Sequence, residues 1–143
     1  MTYGTAAQVA AKARLWTDNG VWVDPVEDYD IKGTNPTLST VTEWLEGISA
    51  QMDIALGTAW FVAPVDSDDD PGPYKAISEY VVSLVADQCH LANGIEREVS
   101  PQGKIMSDIT KWVTSNADGF LQAGLPQRES PSIKTQATFR TIG

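Results

Sequence analysis

Apolar residues recur at helical spacing in three long stretches of the chain and in one short stretch near its beginning. The clearest long stretch ends at Gly57, and either Thr37 or Thr40 can cap its start, with Glu43 completing a capping box with Thr40. Its apolar residues share one stripe of a helix: Val41, Leu45, Ile48, Met52 and Leu56. The pattern therefore predicts an amphipathic helix here.

Three further helices follow from the same reasoning. Thr5 and Gln8 have capping-box spacing and open a short helix over residues 5–13. The third helix is predicted from about Pro73 to Ala92, and the fourth from residue 100 to Gly124. The predicted buried residues are Ile77, Tyr80, Val81, Leu84, Val85 and Leu91 in the third helix and Ile105, Ile109, Trp112, Val113, Phe120 and Leu121 in the fourth. The fold class predicted is all-α, a small helical bundle of about four helices with long loops.

Two long irregular segments, residues 16–36 and 58–72, interrupt the helices. The first greatly exceeds the roughly two to eight residues that usually connect helices. Asn19-Gly20 within it favours a small hairpin, and the alternative is a solvated excursion held by tryptophan side chains. Tryptophan is enriched at protein interfaces, and the subunit-interface candidates in the two segments are Trp16, Trp22, Trp60 and Phe61.

The last residues, 125–143, differ in character from the helical domain predicted for residues 1–124. They carry a charge of about +2, whereas the rest of the chain carries about −11. Ile133, Ala137 and Phe139 fall on alternate positions, as in a strand that must pair with another edge. We expect an extended tail that docks on a neighbouring molecule by charge and by strand addition, and the alternative is an unstructured C-terminus. The docking candidates are Arg128, Lys134, Phe139 and Arg140.

The overall charge restricts the partners. The 143 residues carry a formal net charge of −9, and a surface this acidic disfavours nonspecific nucleic-acid binding and attraction to anionic lipid. The only cysteine is Cys89, so an intrachain disulfide is impossible. Neither a signal peptide nor an apolar run of about 20 residues is apparent. We therefore expect a soluble protein made in a cytoplasm.

Candidate chemistry is sparse. Cys89 and the only histidine, His90, are adjacent on a predicted helix, so their side chains point about 100° apart and do not form a nucleophile–base pair. The sequence contains neither a phosphate-binding glycine loop nor a Gly-x-Ser-x-Gly motif. We therefore expect a protein that is not an enzyme, with no catalytic residue and no cofactor.

Two acidic runs raise the question of a cation site. Asp66, Asp68 and Asp70 match the first, third and fifth positions of a calcium loop, but Pro71 stands where that loop needs glycine. The bidentate acid position falls on Ile77. The run formed by Asp24, Glu27, Asp28 and Asp30 has no histidine beside it and is interpreted as a solvated face. No metal site is predicted.

The chain resembles bacteriophage head–tail connector proteins, the adaptor family that attaches beneath the portal ring. The resemblance covers most of the chain and includes the helix–loop–helix order that follows the second predicted helix. Members often begin with a short Ala-x-x-Val-Ala helix and continue with a hydroxyl-capped helix. The residues that carry the resemblance are Tyr3-Gly4-Thr5-Ala6-Ala7-Gln8-Val9-Ala10-Ala11, Pro36-Thr37-Leu38-Ser39-Thr40-Val41, Trp44-Leu45 and Ile48-Ser49-Ala50-Gln51-Met52-Asp53.

The resemblance implies a virion protein of the neck, a helical bundle repeated in a dodecameric ring through which DNA passes without specific binding. Its partners would be the portal protein, copies of itself and the next neck or tail protein, and the tail would extend to the portal or to a neighbouring subunit. The 16–36 segment departs from a minimal member and would contact a neighbouring subunit or the next neck protein. The main alternative is another acidic interaction module, either a different neck protein or a DNA mimic that inhibits a host factor. A third class, an enzyme or calcium-binding protein, depends on the aspartate run alone.

Overall fold

The computed structural model describes residues 2–94 and 102–128. It contains four α-helices: α1 (Ala6–Lys12), α2 (Leu38–Thr58), α3 (Pro71–Ala92) and α4 (Gln102–Gln122). Single 3₁₀ turns lie at Arg14–Trp16 and Glu27–Tyr29. Within the described residues only isolated β-bridges occur and no strand forms. The predicted all-α bundle is therefore confirmed.

Local capping explains where the first two helices begin. The Thr5 hydroxyl accepts a hydrogen bond from the Gln8 amide, and the Gln8 side chain accepts one from the Thr5 amide, so the predicted capping box is confirmed. Thr37 caps α2 by accepting from the Thr40 amide. The box predicted between Thr40 and Glu43 is wrong because Thr40 already lies inside the helix.

Helix ends differ from the predictions by one or two residues. α2 continues through Gly57 to Thr58, and α3 begins at Pro71 rather than at Pro73. The predicted end of α3 at Ala92 is confirmed. Proline fits the first turn of a helix at either position, because its missing N–H has no partner there.

α2 lies at the centre of the bundle and contacts each of the other helices. α3 runs antiparallel to α2, because Asn93 at the C-terminal end of α3 forms hydrogen bonds with Asn35, just before the start of α2. α4 runs antiparallel to α3, since Gln88 near the end of α3 and Ile105 near the start of α4 line the same pocket. The Trp112 ring of α4 stacks on the Tyr80 ring of α3 with centroids 4.4 Å apart, and this half-buried pair joins the two helices.

The predicted apolar stripes form one core. Two predicted core residues lie outside it: Leu91 is 45% exposed and Leu121 is 44% exposed. Both are in the last turn of a helix, where Cys89 and Phe120 already take the buried positions.

Tyr3 connects the N-terminus to two other parts of the bundle. Its ring is buried, its amide donates to Ser49 Oγ at 2.9 Å, and its hydroxyl donates to Asp53 Oδ1. The same hydroxyl accepts a hydrogen bond from the Val65 amide at 2.9 Å. One side chain thereby fixes α2 and the segment after it against the beginning of the chain.

The 16–36 segment is tied to the bundle at both ends, because Trp16 hydrogen-bonds to His90 and Asn35 hydrogen-bonds to Asn93. Asn19 and Gly20 adopt positive φ angles, 51° and 86°, and Asp18 and Val21 exchange two backbone hydrogen bonds around them. The predicted Asn-Gly turn is therefore present, but the pairing stops after one bridge and the hairpin strands do not form. Trp22 anchors the segment by packing in the core.

Candidate interaction surfaces

The first residues of the predicted tail pair with the segment between α2 and α3. The Val62 amide donates to the Pro126 carbonyl at 2.9 Å, and the Arg128 amide donates to the Trp60 carbonyl at 2.8 Å. Phe61 and Gln127 form the antiparallel bridge between them. Residues 126–128 therefore lie against the segment after α2, beside Trp60.

Arg128, a predicted docking residue, is engaged within the chain. Its Nη2 donates at 2.6 Å to the Gly57 carbonyl in the last turn of α2, which also accepts a hydrogen bond from the Trp60 amide. Its guanidinium lies 4.8 Å from the centroid of the Trp60 ring, in cation–π contact. Arg128 thus positions the start of the tail. The other three docking candidates, Lys134, Phe139 and Arg140, lie outside the described residues.

The four aromatic interface candidates divide into two classes. Trp22 is only 3% exposed and donates from Nε1 to the Ala6 carbonyl at 2.9 Å, while Phe61 is only 1% exposed and packs edge-on against Phe120. Both are core residues, so their rings are not available to a partner. Trp60 is 37% exposed, and Trp16 is half-buried. Only these two keep ring surface at the outside of the chain.

The most exposed part of the 16–36 segment is residues 25–32, which we call the finger. Every residue in it is exposed, and Tyr29 is 78% exposed. Val26 and Ile31 exchange two backbone hydrogen bonds of 3.0 Å and close its tip. The tip carries three carboxylates and three large apolar side chains: Glu27, Asp28 and Asp30, and Val26, Tyr29 and Ile31.

The base of the finger is held by hydrogen bonds and close packing. The Val23 amide donates to Thr34 Oγ1 at 2.9 Å, and the Thr34 amide donates to the Val23 carbonyl at 3.0 Å. Asp24 accepts bonds of 2.8 Å from both the amide and the hydroxyl of Ser39 in the first turn of α2. A Cβ on Gly33 would lie 2.8 Å from Pro25 Cδ, so the close approach of the two arms requires glycine.

A groove of about 460 Å³ lies between α1 and α3, and we call it the α1–α3 groove. Its apolar lining includes Ala11, Val82 and the ring of Tyr74. Its charged lining residues are Lys12, Lys75 and Glu79, so the groove has a formal charge of +1 on a strongly acidic chain. The buried Ser78 hydroxyl beside it has no hydrogen-bond partner within the described residues.

The Asp66–Asp70 run forms a turn that leads into α3. Asp66 Oδ1 accepts bonds from the amides of Asp68 and Asp69, at 2.7 and 3.1 Å. Carboxylates before a helix are favoured by the helix dipole. Across the part of the chain that the structure describes, no group of three or more metal-ligating side chains is assembled.

Cys89 and His90 have separate environments. Cys89 is buried, and burial raises the pKa of its thiol to about 12, which keeps it protonated at neutral pH. His90 Nδ1 accepts a hydrogen bond from Trp16 Nε1 at 2.9 Å, so this nitrogen carries no proton. The arrangement suits a structural contact between the 16–36 segment and the end of α3.

Comparison with protein-family models, curated proteins and solved structures found no match for this chain. In residues 2–94 and 102–128 none of the helices has the length and apolar character needed to cross a membrane.

Sequence reasoning identified part of these surfaces and missed the rest. It singled out the 16–36 segment by its length. It interpreted the acids of this segment as a solvated face, and Glu27, Asp28 and Asp30 are indeed exposed, whereas Asp24 accepts hydrogen bonds from Ser39. It did not find the α1–α3 groove, because Lys12 and Lys75 lie 63 positions apart and share no motif. Only the packing of α1 on α3 brings them together.

Proposed function

We propose that this chain is a structural subunit of the bacteriophage neck, a head–tail connector that assembles as a ring beneath the portal protein. Phage DNA passes through the ring, and the portal, neighbouring copies and the next neck or tail protein are the partners. The subunit is made in the bacterial cytoplasm and ends in the virion. It has no catalytic role in this proposal.

The observation that carries the proposal is the order and capping of the helices. A short helix with a Thr5 capping box is followed by a long helix capped by Thr37, and both lie where the sequence resembles the connector family. The helices of the described chain then continue as a bundle around α2. An all-α bundle is the architecture that the resemblance implies.

Charge and exposed apolar surface support the same function. A channel that conducts DNA must not bind it, and a charge of −9 on each subunit gives a ring a strongly negative potential. The finger and the exposed side of Trp60 provide apolar surface at different places on the chain. Subunits of a closed ring meet through two different surfaces, so this distribution suits a ring better than a symmetric dimer.

The test is the native mass of the protein with and without the portal protein, measured by light scattering or native mass spectrometry at physiological salt. We expect a ring-sized assembly, either alone or on addition of the portal. A monomer that ignores the portal would contradict the connector function. If that monomer instead bound a basic host protein, it would be an acidic inhibitor module.

A further inference from the structure

We propose that the finger of one subunit docks in the α1–α3 groove of the next subunit. This inference rests on the proposed function, since it identifies the contact between neighbouring copies in the ring. It assigns a role both to the most exposed part of the long segment and to the groove of about 460 Å³ between α1 and α3.

The first argument is apolar surface. Val26, Tyr29 and Ile31 are 38%, 78% and 45% exposed, although each is a residue type that gains free energy on burial. A single exposed apolar residue needs no explanation, whereas three within six positions on one projecting turn indicate a contact. The groove offers matching apolar surface on Ala11, Val82 and the Tyr74 ring.

The second argument is charge complementarity. Glu27, Asp28 and Asp30 give the finger three negative charges, and Lys32 brings its net charge to −2. Lys12 on α1 and Lys75 on α3 line the groove from opposite helices, with Glu79 as the one acid in the lining. The contact therefore pairs a finger of charge −2 with a groove of charge +1, on a chain whose net charge of −9 otherwise opposes association between copies.

The third argument is geometry. None of the residues that line the groove belongs to the 16–36 segment, so the chain's own finger does not fill it. The finger and the groove are therefore two different surfaces of one subunit, and their contact is head-to-tail. Such contacts produce a closed ring when the rotation between successive subunits closes.

The finger is also fixed before it meets a partner. Thr34 ties its two arms together, and Asp24 ties its base to the first turn of α2. A protrusion that is already ordered loses little conformational entropy on docking, which favours binding.

The test uses two charge-reversed full-length variants. The groove variant carries Lys12→Glu and Lys75→Glu, and the finger variant carries Glu27→Lys and Asp28→Lys. In each variant alone, finger and groove have the same sign of charge, so we expect loss of the ring-sized species. In an equimolar mixture each finger finds a groove of opposite charge, because the two variants alternate around the ring, and we expect the ring-sized species to return. Native mass spectrometry, with one variant labelled uniformly with ¹⁵N, measures whether the ring contains the two variants in equal numbers.

Matched controls separate this contact from a general charge effect. Lys104→Glu with Lys111→Glu, on α4, and Asp68→Lys with Asp69→Lys, in the acidic turn, make the same charge changes on exposed residues elsewhere. Both controls should assemble like the unmodified protein, and thermal melts should show all variants folded.

Two outcomes would contradict the docking contact without contradicting the proposed ring. In one, both charge-reversed variants assemble normally, and in the other, their mixture stays monomeric. If the unmodified protein formed no assembly with itself or the portal, the proposed function would fail, and with it this contact.

Discussion

At the residue scale, Tyr3 shows how one side chain can organise several parts of a small fold. Its burial is compatible with a polar hydroxyl because that hydroxyl bonds Asp53 and Val65. Burial, followed by the hydrogen bond to Asp53, raises its pKa, so it stays protonated well into the alkaline range.

Replacing Tyr3 by phenylalanine should destabilise the fold without changing it. The substitution keeps the buried ring but leaves the Val65 amide without its partner, and an unsatisfied buried donor costs about 1–3 kcal/mol. Urea unfolding followed by circular dichroism measures the change in the free energy of unfolding. The control is Tyr74→Phe. The Tyr74 ring centroid lies 5.8 Å from that of Tyr3, and the substitution removes a tyrosine hydroxyl while leaving both hydrogen bonds of the Tyr3 hydroxyl intact. Equal stability of the Tyr3→Phe variant and the unmodified protein would contradict the role of this hydroxyl.

Stability should fall as pH rises above about 9. The pKa of Cys89 rises from its ordinary 9.0 to about 12 on folding, and that of Tyr3 also rises. The folded state therefore holds these protons more tightly than the unfolded state, so the stabilisation is complete below pH 9 and is lost as pH rises toward 12. Thermal melts between pH 8 and 11 measure this loss. Cys89→Ala should flatten the decline, and an unchanged slope in that variant would show that the thiol does not contribute.

At the element scale, local sequence sets the helix starts while neighbouring elements set the helix ends and the loops. Thr5 and Thr37 cap α1 and α2 through bonds within four residues. By contrast, the segment after α4 is ordered by Trp60 and Gly57, which are more than 60 positions away. The start of the tail belongs to the bundle for that reason.

Truncation should separate the start of the tail from its remainder. Deleting residues 132–143 leaves Pro126–Arg128 paired with the segment after α2, so the bundle should stay folded but lose the proposed attachment to the portal. Deleting residues 126–143 also removes the bonds of Arg128, and we expect a further loss of about 1–3 kcal/mol in stability. Thermal melts and co-sedimentation with the portal measure the two effects. Unchanged attachment of the shorter deletion, or loss of its fold, would contradict a docking tail.

At the scale of the whole molecule, seven of the 19 acidic residues of this chain lie in two short runs, the finger and the turn before α3. The turn uses Asp66 to satisfy its own backbone amides. Asp24, just before the finger, anchors the base of the finger to Ser39. The three carboxylates of the finger itself face solvent. The proposed ring places these carboxylates against Lys12 and Lys75 of the next subunit. Because such contacts are electrostatic, assembly by this route weakens as salt screens the charges.

The sequence by itself determined the class of fold, the four helices and most of their buried faces. Those properties depend on spacing and caps that act over a few residues, such as Thr5 with Gln8. It also identified the Asn19-Gly20 turn, because only residues that tolerate positive φ fit there.

Tertiary structure alone decided which candidate residues remain exposed. Trp22 and Phe61 look like interface residues in sequence, but contacts with Ala6 and Phe120 bury them. Conversely, Lys12 and Lys75 carry no local signal and become one groove only when α1 packs on α3. Burial depends on which elements pack together, and that information is distributed over the whole chain rather than contained in any single motif.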